Sequence, residues 1–92
     1  MIVVTSTYLK PHEEMEPLLA EHALWLKAQH EAGHFISSGS NIERTGGAIL
    51  TQGLGLAALE ALLATAPLAL AGAIRYELTE MNHSTENLQE TA

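Results

Sequence analysis

The chain opens on Ile2-Val3-Val4-Thr5-Ser6-Thr7-Tyr8, β-branched and aromatic over the length of a strand, and such residues suit a pleated, half-buried surface. Lys10-Pro11-His12 ends the run, because proline cannot donate to a ladder. From Glu13 to Ala32 the spacing changes. Met15, Leu18, Leu19, His22, Trp25, Leu26 and Gln29 recur at steps of three and four, which predicts one buried helix face. Glu13, Glu14, Glu16 and Glu21 suit the positive end of that helix, and Gly33 supplies a left-handed stop. His34 to Gly39 reads as a second strand, residues 40–46 as a polar loop, and Gly47 to Thr51 as a third strand. Leu56 to Thr65 reads as a second helix, closed by Pro67 with a short extra turn through Leu70. Gly72 to Met81 returns as a fourth strand, and residues 82–92 are polar and aperiodic, which predicts a disordered tail.

The order β-α-β-β-α-β predicts an α+β fold of ferredoxin-like type, a single domain over residues 1–81. Its four-stranded antiparallel sheet would carry both helices on one face and leave the other bare. Apolar alternation in the first and fourth strands predicts that a second copy covers the bare face, so a homodimer is expected, with further assembly open.

Composition narrows the function classes. The chain has 92 residues, 47% of them hydrophobic, enough for one core and not two. Eleven acidic residues, every one a glutamate, face four bases, Lys10, Lys27, Arg44 and Arg75, for a net charge of −7. That balance argues against nucleic acid and anionic membranes as partners, since both are held by clustered Lys and Arg. The absence of cysteine removes disulfides, thiol nucleophiles and thiolate zinc sites, and fits a reducing cytoplasm. No basic segment precedes the first apolar run, so it does not read as a signal peptide, and a cytoplasmic location is expected. The apolar stretch from Gly53 to Ile74 contains Glu60 and Pro67, which favours a buried helix, a turn and a strand over a membrane span.

His22 is the strongest chemical candidate. It interrupts the apolar stripe of the first helix, and an imidazole in a semi-apolar pocket can exchange protons near neutral pH. The same spacing also suits a core histidine satisfied by backbone. Ser37, Ser38 and Ser40 flank Gly39 and read equally as ligand contacts at a strand end or as edge and turn residues. His30 and His34 are four apart, but Gly33 between them predicts that they diverge, so no metal site is expected. Gly46-Gly47 and Gly53-x-Gly55 lack the Lys-Ser/Thr of a phosphate cradle, and no cofactor is expected. Trp25 and Leu26 are core residues by spacing.

His22-x-x-x-Leu26, Gly33 and Gly39, followed by Pro67-x4-Gly72, resemble YciI-like proteins, with the likeness running over residues 1–81. The resemblance implies a dimeric α/β barrel of two ferredoxin-like protomers, a small pocket in each with a His–Asp pair, and in a few members chemistry on small organic rings. On this chain it makes His22 the general acid/base. Glu43, in the loop after the second strand, is the best match for the aspartate and reads also as a solvated loop acid beside Arg44, and Ala66 stands where another aspartate often precedes the proline. Ser38, Gly39 and Trp25 become the candidate substrate contacts. The expected function is lyase, dehydrohalogenase or isomerase chemistry by proton transfer. The alternative is a non-catalytic ligand-binding or interaction module that has lost the acid.

Overall fold

A computed structural model describes residues 1–81; the tail expected over 82–92 lies outside the described residues. The chain runs β1 (Ile2–Tyr8), α1 (His12–Glu31), β2 (Phe35–Ser40), β3 (Gly46–Thr51), α2 (Leu56–Leu63), α3 (Pro67–Leu70) and β4 (Ile74–Glu80). The strands pair antiparallel in the order β2-β3-β1-β4. Each long crossover therefore skips one strand, which is the split βαβ arrangement of a ferredoxin-like α+β fold. No helix among the described residues is long and apolar enough to cross a membrane.

Local chemistry explains the boundaries. At the end of α1, Gly33 adopts φ 82°, its N–H bonds to the His30 carbonyl, and the His34 N–H returns to the Gln29 carbonyl at 3.1 Å. These two bonds satisfy carbonyls that the helix leaves open, and glycine takes the left-handed step without cost. Pro67 opens α3 at a position where a missing N–H costs nothing.

Register assigns the two faces of the sheet. Ile2 and Val4 are buried under the helices, so every second residue along β1, with its partners, shares that side. Three rows cross the sheet there. The first is Glu80, Ile2, Thr51 and Phe35; the second is Leu78, Val4, Ile49 and Ser38; the third is Tyr76, Ser6, Gly47 and Ser40. Apolar bulk thus declines toward the third row. Ile2, Val4, Phe35, Ile49, Leu59 and Leu63 form one core cluster, and Met15, Leu68, Ala73 and Ile74 a second. Tyr76 packs against both.

The open face corrects one expectation. The apolar alternation of β1 and β4 (Ile2, Val4, Ile74, Tyr76, Leu78) points at the helices. The uncovered side carries Val3, Leu50 and Ala48 among Thr5, Thr7, Thr79, Arg75 and Glu77. It is a mixed surface rather than an apolar one, because hydrophobic positions of period two fill only the face that the helices already bury.

Candidate active site

The third row of the sheet is where the helix layer and the strands part. Ser6, Gly47 and Ser40 are too small to reach α1, and a cavity of about 240 Å³ remains between them. Its roof is Leu19, His22, Ala23 and Leu26 of α1; its wall is Tyr8, Ile74 and Tyr76; Ser38 and Ile49 extend the floor. The cavity lies along the seam between the two core clusters, since Ile49 and Leu26 belong with one and Leu19, Tyr8 and Ile74 with the other. Gly47 cannot be enlarged. A Cβ there would run into the Gly39 carbonyl, and one at Gly46 into the Ser6 carbonyl, so close strand packing itself keeps the floor low.

His22 is 9% exposed and its ring stacks on Trp25, with centroids 5.7 Å apart and planes 23° from parallel. Trp25 is itself fixed: its Nε1–H donates to Thr65 Oγ1 at 3.0 Å, the Thr65 hydroxyl donates to the Leu62 carbonyl at 2.6 Å, and Phe35 meets the indole edge-on at 5.6 Å. Trp25 does not line the cavity. Its place is behind the imidazole, so it acts on the site by holding His22.

Two buried side-chain polar atoms among the described residues have no hydrogen-bond partner, His22 Nδ1 and the Tyr76 hydroxyl. Both residues line this one cavity. Buried polar groups are nearly always paired, and those that are not call for an explanation such as a bound ligand or water. Burial lowers the His22 pKa below its ordinary 6.5, so the imidazole is neutral, the form of a proton acceptor, at neutral pH. Burial, with the neighbouring Tyr8 phenol adding to it, pushes Tyr76 up to about 12, so its hydroxyl stays protonated and available as a donor.

The structure brings together three of the five expected site residues: His22, Ser38 and Gly39 all line the cavity. Ser38 is engaged from outside, its Oγ 2.7 Å from His30 Nε2. Glu43 is not brought in. Asn41 closes the β2–β3 turn through its side chain, with Oδ1 accepting from the Thr45 N–H and Nδ2 donating to Thr45 Oγ1, each at 2.9 Å. Arg44 takes φ 58° to complete that turn. Ile42 and Glu43 ride on its exposed apex, and Glu43 is absent from the cavity lining. The expected His22–Glu43 pair is therefore not formed within one chain, and among the described residues no carboxylate bonds to the His22 Nδ1. His34 Nδ1 pairs with Gln29 Oε1 at 3.3 Å and His30 with Ser38, so those two histidines part as expected. No cluster of three metal-ligating side chains occurs among the described residues.

Tyr76, Tyr8 and Ser6 escaped the reading of the sequence. Tyr76 alternates with Ile74 and Leu78 and looks like core; its register places it in the row of Ser6 and Gly47, where its hydroxyl has no hydrogen-bond partner.

The chain belongs to the family of the YCII-related domain, which matches residues 1–82. Among solved structures it is similar to 5-chloro-2-hydroxyhydroquinone dehydrochlorinase (TftG) from Burkholderia phenoliruptrix AC1100, in complex with 2,5-dihydroxybenzoquinone. That likeness has a TM-score of 0.73 at 12% identity and covers 94% of this chain and 98% of the other. At that identity it speaks for the fold. Among curated proteins, none matches the sequence.

Proposed function

We propose that this protein carries out proton transfer on a small ring compound held between α1 and the third row of the sheet, with His22 as the base. One observation carries the reading: the two unpartnered buried polar atoms both belong to residues lining the same cavity. A neutral imidazole takes a proton from a ring hydroxyl, or from a carbon beside a carbonyl. The electron pair left behind moves onto the ring oxygen. Return of that pair re-forms the carbonyl or a ring double bond, and either expels an anion such as chloride, an elimination, or takes a proton back at another carbon, an isomerisation. His22 then hands its proton to the product or to water. None of these steps exchanges electrons with a redox group.

The fold likeness to a dehydrochlorinase supports the elimination form. A second reading, a ligand-binding module without turnover, is favoured by a specific feature: among the described residues no carboxylate meets His22 Nδ1 to fix the tautomer or strengthen the base. A panel of chlorinated and hydroxylated hydroquinones and quinones separates the two. His22→Ala, shown folded by circular dichroism, should lose any turnover that the native chain gives. Undiminished turnover in that variant refutes the assignment of the base, and binding without turnover in the native chain selects the second reading.

A further inference from the structure

We propose that the cavity selects uncharged rings bearing both a hydroxyl and a carbonyl oxygen, and rejects carboxylates and phosphates of the same shape. This deepens the proton-transfer reading and takes from it only that the ligand lies against His22 and Tyr76. The argument starts from charge. No Lys, Arg, Asp or Glu lines the cavity among the described residues. The entire chain has four Lys and Arg side chains, and none lines the cavity: Lys10 Nζ donates to the Ala71 carbonyl at 3.1 Å, Lys27 lies 3.9 Å from Glu31, Arg75 lies 3.8 Å from Glu77, and Arg44 lies on the β2–β3 turn. A second copy could offer only the same four. An anion entering the cavity would lose its water and gain no counter-charge, a transfer that is costly unless the charge is paired. The net charge of −7 repels it on approach.

What the cavity does offer is two uncharged hydrogen-bonding groups. A neutral imidazole nitrogen accepts from a ligand hydroxyl, and the Tyr76 phenol donates to a ligand oxygen. Ser6, Ser38 and Ser40 add hydroxyls, while Leu19, Leu26 and Ile49 bound the rest with apolar surface. A flat ring with a hydroxyl on one side and a carbonyl oxygen on another presents complementary groups to the two residues, His22 and Tyr76, that line the cavity. The Tyr76 contact is also the one that strengthens as negative charge develops on the ligand oxygen, which is the behaviour required of an oxyanion donor.

The chain contains its own reporter, because its one tryptophan is Trp25, stacked on His22. The full chain at pH 7.5 is titrated with 4-hydroxybenzamide and with 4-hydroxybenzoate, which share ring and hydroxyl and differ in charge, following Trp25 emission and the His22 imidazole NMR signals. The amide should bind at least about tenfold more tightly than the benzoate. Tyr76→Phe, with its fold verified, should weaken amide binding about three- to tenfold, as expected for one neutral hydrogen bond. Equal binding of amide and benzoate overturns the charge selection and leaves the proton-transfer reading standing. Failure of both probes to move Trp25 or His22 overturns both.

Discussion

Replacing Tyr76 with phenylalanine should make the empty protein more stable while weakening its hold on a ligand. The ring packs against both core clusters and phenylalanine keeps those contacts, so the change removes only the hydroxyl, which is buried without a partner. An unpaired buried hydroxyl costs about 1–3 kcal/mol. For a domain of this size each 1 kcal/mol moves the melting temperature by roughly 4–8 °C, so the variant should melt several degrees higher. Alkaline titration supplies an internal control. In the unfolded chain Tyr76 ionises near the ordinary 10.0, in the folded chain only near 12. The contribution is therefore whole below pH 10 and declines as the pH rises from 10 toward 12. The shift would be worth about 2.7 kcal/mol at full burial, and about 1–2 kcal/mol for a half-buried phenol after solvent screening. Urea unfolding at pH 8 and pH 11.5, followed by circular dichroism, should show that loss in the native chain and a smaller one in Tyr76→Phe. A variant that melts at or below the native temperature at pH 8 refutes the reasoning, because the hydroxyl must then have a partner that stabilises it.

Three further outcomes follow from the same geometry. His22 has a folded-state pKa below 6.5, so the unfolded chain binds its proton first; stability should fall as the pH drops from 6.5 toward the folded value, and His22→Leu should flatten that part of a urea-stability profile. Gly47→Ala should destabilise by about 1–3 kcal/mol, or more if the strands cannot part, since its Cβ meets the Gly39 carbonyl; an unchanged thermal melt would show that the strands separate freely. If a second copy covers the open face, light scattering should give twice the 9.9 kDa of one chain, and Leu50→Glu, placing a charge beside Val3, should return it to one; a single-chain mass in the native protein removes the homodimer.

The architecture was readable because it rests on local periodicity. The stripe from Met15 to Gln29 names the inward face of α1, and Pro67 announces the extra turn that became α3. His22 was visible as a polar residue on an apolar stripe. The cavity itself was not visible, because it exists only through register. Ser6, Ser40, Gly47 and Tyr76 are far apart in the chain and become one row when three ladders align them, and nothing in the spacing of any one strand shows that small residues will coincide. Glu43 failed for a related reason. Its distance along the chain from Gly39 suited a partner for His22, but the side chain of Asn41 folds the turn onto Thr45 and carries Glu43 outward. Trp25, a core residue by spacing, backs the cavity rather than lining it, because helical geometry puts residues three apart side by side, so that His22 lines the cavity and Trp25 stacks on its ring.

Because Tyr76 belongs to both core clusters and the cavity runs between them, the protein has a mortar joint along its middle. Empty, the joint leaves the cluster of Met15, Leu68 and Ile74 bridged to that of Val4, Phe35 and Leu59 by the Tyr76 ring. A ring seated there touches both halves, so occupancy should slow amide exchange in α1, β3 and β4 together, well beyond the residues it contacts. The ligand would then complete the core as well as use it.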